Sequence, residues 1–260
     1  MQRVLFHETV FGPIHSRRLG TSLGVNLSPN DGKVCSFDCL YCEAGYNAQG
    51  PGSTGLPSRT DVARHLEHKL KSMKEAGQTL DVITFSGNGE PTMHPDFAGI
   101  IDDTIALRDR YFPDVKISVL SNSTRTDRPE VGDALRKIDN NILKLDSAID
   151  RTVGLLDRPV DKHFSVDKTI DRLAAFGDNA IIQTMITRGT HDGETVDNST
   201  DAEVDALIDA YQRIRPREIM LYTIDRQTPE QSLVHVARTE LDAIAAKITA
   251  RTGIPVQVSG

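Results

Sequence analysis

Tryptophan is absent, and phenylalanine and tyrosine make up only 5% of the chain. Stacking platforms for single-stranded bases are therefore sparse. No apolar run approaches the ~20 residues that a membrane-spanning helix needs, so no membrane association is expected. Residues 1–7 carry neither the long apolar core nor the small-residue cleavage site of a secretory signal, and a cytosolic (cytoplasmic) protein is expected. Net charge is −7, which argues against the broad basic face that salt-dependent nucleic-acid binding uses. Two local basic clusters stand out, Arg17-Arg18 and the run from Arg213 to Arg217. A solvated surface accounts for either.

Cysteine is scarce as well, with three in 260 residues. An odd, clustered set does not suit a disulfide framework. All three fall in Cys35-Ser36-Phe37-Asp38-Cys39-Leu40-Tyr41-Cys42, a Cys-x3-Cys-x2-Cys spacing. Thiolates converging from one loop suit zinc or an iron–sulfur cluster. Zinc would want a fourth ligand, for which His15 and His65 are the nearest histidines considered. A [4Fe-4S] cube held by three cysteines leaves one iron with an exchangeable position, where chemistry can occur. An electron-transfer cluster normally closes that iron with a cysteine, and none is to spare.

The remaining chain alternates short β-rich runs with amphipathic helical stretches. Strands are expected at 22–27, 81–85, 115–120, 141–145, 180–186 and 218–223, with a short last one at 255–258. Helices are expected at 61–74, 96–110 and 129–137, and around Val166–Phe176, Val204–Tyr211 and Leu241–Ile248. Gly177 is a plausible helix stop. This βα repetition implies a parallel sheet, with too few units for a full eightfold barrel. The expected fold is α/β: a partial (β/α)6 TIM-like barrel in one domain over 1–260. Its core covers about 22–226, with a short N-terminal extension (1–21) and a C-terminal helix and strand (227–260).

Unusual residues cluster just after the strands, where ligands bind in parallel βα folds. The cysteines follow the first strand. Ser86-Gly87-Asn88-Gly89-Glu90-Pro91 follows the second, and Asn122 the third. Asp146 ends the fourth, Arg188 the fifth, and Asp225-Arg226 follow the sixth. Taken alone, Gly-Asn-Gly reads as a tight turn. Asp146 reads equally as a helix cap, and Arg188 as a surface residue.

The cysteine spacing, with Tyr41 as the aromatic before the last cysteine, resembles the signature of the radical S-adenosylmethionine (radical SAM) superfamily. Phe85 to Thr92 is similar to that superfamily's glycine- and glutamate-containing turn. Its usual Gly-Gly-Glu is here interrupted by Asn88. The resemblance implies one [4Fe-4S] cluster on Cys35, Cys39 and Cys42. It implies that SAM is held by Tyr41, by Ser86 through Glu90, and by Asn122 and Asp146, with Glu90 taking the methionine ammonium. Arg188 is the candidate for the methionine carboxylate. It further implies reductive cleavage of SAM to a 5′-deoxyadenosyl radical that abstracts hydrogen, fed by a reductant such as flavodoxin or ferredoxin. Phe11 to Gly24 and Leu221 to Pro229 resemble a narrower Fe–S oxidoreductase group, related to the tRNA-modifying wybutosine-synthesis enzymes. Those enzymes carry further cysteines that this chain lacks.

The substrate is open between a tRNA nucleoside and a small molecule or peptide. The candidate substrate residues are His15, Arg17, Arg18, Asp225 and Arg226. The arginine pair could hold a phosphate or carboxylate, or brace the N-terminal segment. His191 lies in a loop that could act as a lid. The competing class is a non-catalytic iron–sulfur or zinc protein, binding or sensing on a βα barrel.

Overall fold

A computed structural model describes residues 3–16 and 19–260. Arg17 and Arg18, two of the candidate substrate residues, lie outside the described residues. The chain opens with β1 (Val10–Ser16) and β2 (Gly20–Val25), then α1 (Arg59–Glu75), β3 (Val82–Phe85), α2 (Phe97–Tyr111) and β4 (Lys116–Ser121). Next come α3 (Pro129–Arg136), β5 (Asn140–Lys144), α4 (Asp150–Leu156), α5 (Val166–Ala174) and β6 (Ala180–Met185). The rest is β7 (Thr187–His191), β8 (Glu194–Asp197), α6 (Asp201–Ile214), β9 (Glu218–Tyr222), β10 (Val234–His235), α7 (Arg238–Thr252) and β11 (Val256–Ser259).

Eight strands form one sheet in the order β1-β2-β3-β4-β5-β6-β9-β11. Only β1 with β2 is antiparallel; every other pairing is parallel. The sheet curls into a partial barrel. Strands covered on both faces read as continuous apolar runs, which is why Val82–Phe85 and Ala180–Met185 are buried throughout. Each helix turns one stripe inward: Val62, Leu66, Leu70 and Met73 of α1 are all buried. Ser58 starts that helix by accepting the Asp61 N–H at 3.1 Å.

Both ends of the chain join this sheet. β11 pairs with β9, Val256 opposite Ile219. β1 pairs with β2, and the Phe11 ring lies over Gly24, where a Cβ would come within 2.1 Å of it. A side chain at 24 would thus evict the ring. Because β1 runs against β2, His15 sits opposite Thr21, near the start of β2. The cysteines follow the other end of that strand. His15 is therefore at the far end of the sheet from the cysteine loop.

A second, three-stranded sheet has the order β10-β7-β8 and includes the His191 segment expected as a loop. Its hairpin turns at Asp192-Gly193, both with positive φ (48° and 81°). Asp-Gly is a hairpin signal legible in the sequence. His191 thus lies in a strand rather than in a free lid loop.

Candidate functional site

The cysteine loop is held from three sides. At its start, Asp31 accepts from Ser53 N at 2.8 Å and Oγ at 2.6 Å, and from Thr54 N at 3.1 Å and Oγ1 at 2.8 Å. These four bonds close the loop's base and hold the Asp31 carboxyl well below its ordinary range. On one flank Val34 bridges Gly89, with Glu90 N donating to Val34 O at 2.9 Å. On the other, the loop pairs with the end of α4 and the segment after it. Leu40 N donates to Leu156 O at 2.9 Å, and Val160 N to Ser36 O at 2.9 Å. Leu40 also joins Leu156, Val196 and Leu233 in a small apolar cluster apart from the main core. Behind the loop, the buried Lys33 ammonium donates to Gly45 O at 2.8 Å and lies 3.5 Å from the Asp38 carboxylate.

Burial pushes the Cys35 thiol up to about 12, and the Glu90 carboxylate adds to it. Burial also pushes the Cys39 thiol well above its ordinary value, against the pull of Lys144. Such thiols stay protonated until a metal supplies the compensating charge.

The turn after β3 meets this loop closely. A Cβ at Gly89 would lie 1.9 Å from Val34 O, and one at Gly87 would lie 2.4 Å from Asn26 Oδ1. Glycine at 89 is what lets the residue before Cys35 reach the turn. Ser86, Gly87 and Gly89 are half-buried, while Asn88 and Glu90 are buried. Asn88 accepts Phe6 N–H at 2.8 Å and donates to Phe6 O and Pro29 O, both at 2.9 Å. It fastens the N-terminal segment over the turn.

Glu90, the acid expected to take the methionine ammonium, is engaged within the chain. Its Oε1 accepts from Thr92 N at 3.1 Å and Oγ1 at 2.5 Å, and its Oε2 from Asn122 N at 2.6 Å. Burial raises its pKa despite these donors. Glu90 is the clasp between the ends of β3 and β4. Asn122 in turn reaches the cysteines: its Nδ2 lies 3.5 Å from Cys35 Sγ and 2.9 Å from Ser36 Oγ.

Asp146 is also internally engaged. Its Oδ1 accepts from Met185 N at 2.9 Å, and its Oδ2 from Lys144 Nζ at 2.6 Å and from the Tyr41 hydroxyl. With 1% exposure, this carboxylate anchors Lys144 and Tyr41. Lys144, missed in the sequence, ends β5 two residues earlier. Its Nζ also contacts Asp157 Oδ1 at 2.5 Å, Cys39 Sγ at 3.5 Å and the Tyr41 hydroxyl. Burial alone would lower the Lys144 pKa, but Asp146, Asp157 and Cys39 outweigh it and raise it well above its ordinary value. Burial lifts Asp157 to about 7 even beside that ammonium. The only signal for Lys144 was a charged residue at the end of an apolar strand.

The remaining candidates sit at the rim. Arg188 lies in β7 with its guanidinium on the Glu240 carboxylate, so an internal acid already occupies it. Arg226 pairs with Glu43 at 2.8 Å, one residue past Cys42. Asp225 precedes it in the segment after β9. That segment crosses the cysteine loop: Glu230 N donates to Leu40 O at 3.2 Å, and Glu230 Oε2 meets His191 Nδ1 at 2.7 Å.

The donor set fits an iron–sulfur cube. Three partly exposed free cysteines lie in one loop, flanked by the N–H donors of Asn122 and Lys144. Among the described residues, no three His, Cys, Asp or Glu side chains converge on one point that a single ion could fill. Among the described residues, no helix is long and apolar enough to cross a membrane.

The family described as the radical SAM superfamily matches residues 30–204. A UPF0026 protein of Helicobacter pylori is 28% identical over 225 residues, 84% of this chain and 66% of that protein. A UPF0026 protein of Methanocaldococcus jannaschii is 32% identical over 181 residues, 68% and 53% of the two chains. A Brachyspira hyodysenteriae protein named GTPase Obg is 27% identical over 253 residues, 96% of this chain but 35% of that one. This chain thus spans about a third to two-thirds of the length of these relatives.

Among solved structures, a radical SAM methyltransferase from Sphaerobacter thermophilus aligns with TM-score 0.64 and 15% identity, over 92% of this chain and 65% of that one. Streptococcus suis SuiB bound to S-adenosylmethionine gives 0.64 and 14%, over 91% and 50%. TYW1 with a lysine-pyruvate adduct gives 0.60 and 15%, over 90% and 75%. At these identities the likeness is one of fold.

Proposed function

This chain belongs to the radical SAM superfamily, and we propose that it holds its cluster on Cys35, Cys39 and Cys42 and abstracts hydrogen from a small molecule or peptide. It is an enzyme that uses a [4Fe-4S] cluster and S-adenosylmethionine. When bound, these supply one-electron cleavage of a sulfonium and a 5′-deoxyadenosyl radical that takes hydrogen from carbon. The protein's residues bind, orient and exclude water.

One observation carries the reading: the chain of contacts Cys35–Asn122–Glu90, which fastens the cysteine loop to the ends of two parallel strands. Three thiolates from that loop fit three irons. The backbone of Ser86, Gly87 and Gly89 is half-exposed beside them and suits the methionine ammonium, since glycine leaves carbonyls open to close approach. Glu90 serves that group by holding the turn in shape. Tyr41 and Asp146 wall the site next to Cys39. The Leu40–Leu156–Val196–Leu233 cluster keeps water from one side of the loop.

The charge pattern favours the small-molecule or peptide class over tRNA. Among the described residues, several cations near the mouth are already paired, Arg226 with Glu43, Arg158 with Asp38 and Arg188 with Glu240. A phosphate backbone needs unpaired ones. The electron donor is of the flavodoxin or ferredoxin type.

Anaerobic reconstitution tests the cluster. The protein should take up ~4 irons per chain and, once reduced with dithionite, release 5′-deoxyadenosine from SAM. Cys35→Ala, Cys39→Ala and Cys42→Ala should each lose both properties. Variants that keep cluster and cleavage would sink the assignment. Deuterium transfer from labelled peptide and metabolite pools into 5′-deoxyadenosine tests the substrate class; transfer from labelled tRNA alone would overturn it.

A further inference from the structure

Lys144 is the most unusual group near the cysteines. Lysine is seldom fully buried unless it is paired, and here the side chain is 14% exposed. Its three N–H donors face four acceptors: Asp146 Oδ2 at 2.6 Å, Asp157 Oδ1 at 2.5 Å, Cys39 Sγ at 3.5 Å and the Tyr41 hydroxyl. The Nζ also lies 4.5 Å from the centre of the Tyr41 ring and 5.7 Å from that of Phe37. The Tyr41 contact runs through its hydroxyl oxygen, and the two carboxylates keep the ammonium charged and in place.

The three sulfurs thus differ. Cys35 faces the neutral amide N–H of Asn122 at 3.5 Å, and Cys39 faces a full positive charge at the same distance. Lys33, the other buried cation of the loop, acts on all three thiols through its charge but makes its hydrogen bond to Gly45 O and its ion pair with Asp38, so Lys144 is the ammonium that contacts a sulfur.

A plain buried ion pair would need only the lysine and its acids. What a pair does not explain is the contact with sulfur, reached from the strand end that faces Cys39. Hydrogen bonds to sulfur and local charge are the levers by which a protein sets a cluster's reduction potential. Reduction adds one negative charge to the cluster. A fixed cation in a low-dielectric pocket stabilises the reduced form more than the oxidised one.

We propose that Lys144 is a positioning and tuning residue of the cluster: its ammonium donates to Cys39 Sγ and raises the reduction potential, while Asp146 and Asp157 fix its place and moderate its charge. The inference rests on the cysteine ligation proposed above. It makes the lysine–two-acid network part of the electron-acceptance step rather than part of ligand binding. Removing the cation leaves two acids facing the cluster and lowers the potential. Removing one acid has the opposite effect.

The test is an EPR-monitored redox titration at pH 8 of full-length reconstituted protein, wild type beside Lys144→Met, Lys144→Arg and Asp157→Asn. Wild-type iron content and SAM cleavage establish the ligation separately, so failure here is distinguishable from failure there. At a fixed potential, Lys144→Met should shift the reduced-to-oxidised ratio about tenfold toward oxidised, which is ~59 mV for one electron. Lys144→Arg, which keeps the charge, should stay within about threefold. Asp157→Asn should shift the ratio toward reduced, and it decides the matter if Lys144→Met does not take up iron. Ratios within twofold of wild type in Lys144→Met or Asp157→Asn overturn the proposal. So does loss of the cluster in both, which would make the network a structural brace.

Discussion

The backbone N–H of Asn122 donates to Oε2 of Glu90 at 2.6 Å. One buried carboxylate thereby joins the ends of two neighbouring parallel strands, and the Asn122 side chain carries the join to Cys35. The most conspicuous acid of the glycine turn is a structural clasp behind the site, and the site's shape depends on how tightly turn and cysteine loop are pressed together.

Gly89→Ala tests that closeness. The added Cβ would lie 1.9 Å from Val34 O and 2.6 Å from Ser28 Oγ, so the backbone beside Cys35 must move. Overpacking of this kind costs about 1–3 kcal/mol. Helical content by circular dichroism should be unchanged, while iron per chain after reconstitution should fall several-fold.

Asp31→Asn tests the clip at the loop's base. The four bonds from Ser53 and Thr54 depress the Asp31 pKa below its ordinary 3.8. The carboxylate's contribution to stability is thus fully present above about pH 4 and is lost as pH falls through the lower, folded-state pKa. Urea melts should show the variant less stable than wild type at pH 7. The gap should narrow as both are taken into acid, and a gap that widens would contradict the clip.

Leu40→Ala opens the apolar cluster over the loop. Large-to-small changes at buried leucine cost about 2–5 kcal/mol, and here the loss falls on the wall that keeps solvent from Cys39. The reconstituted cluster should bleach in air several-fold faster than wild type, followed by the decay of its visible absorbance.

His191→Ala releases the segment after β9. The 2.7 Å contact with Glu230 ties that segment to the β7–β8 hairpin, and it holds the Glu230 carboxyl below its ordinary range. Trypsin should cut at Arg226 faster, while the global melting temperature shifts little, because the main core is untouched.

Periodicity was enough to read the βα order, since parallel strands buried on both faces and one-sided helices leave strong local patterns. The β7–β8 hairpin was missed because its residues are polar and half-exposed, so only the Asp192-Gly193 turn signalled it. Asn122 and Asp146 were placed in the sequence at the ends of their strands, and both lie within two residues of those ends. What their polar atoms bond to was not readable. Asp146 and Glu90 looked like ligand-binding acids, yet both are filled by donors from within the chain. Lys144 was passed over because a lysine at a strand end looks like surface.

By itself the sequence determined the three cysteines, their single-loop spacing and the glycines of the facing turn, because spacing along one short loop is a local property. It also determined the family, through the same motifs. The tertiary structure decided which polar groups face the cysteines. Glu90, Asn122, Lys144, Asp146 and Asp157 come from four separate stretches of chain, and parallel pairing of β3, β4 and β5 sets them side by side. Hydrogen bonding among buried groups then fixes which atoms are taken and which remain free, and no pattern along a single strand encodes that.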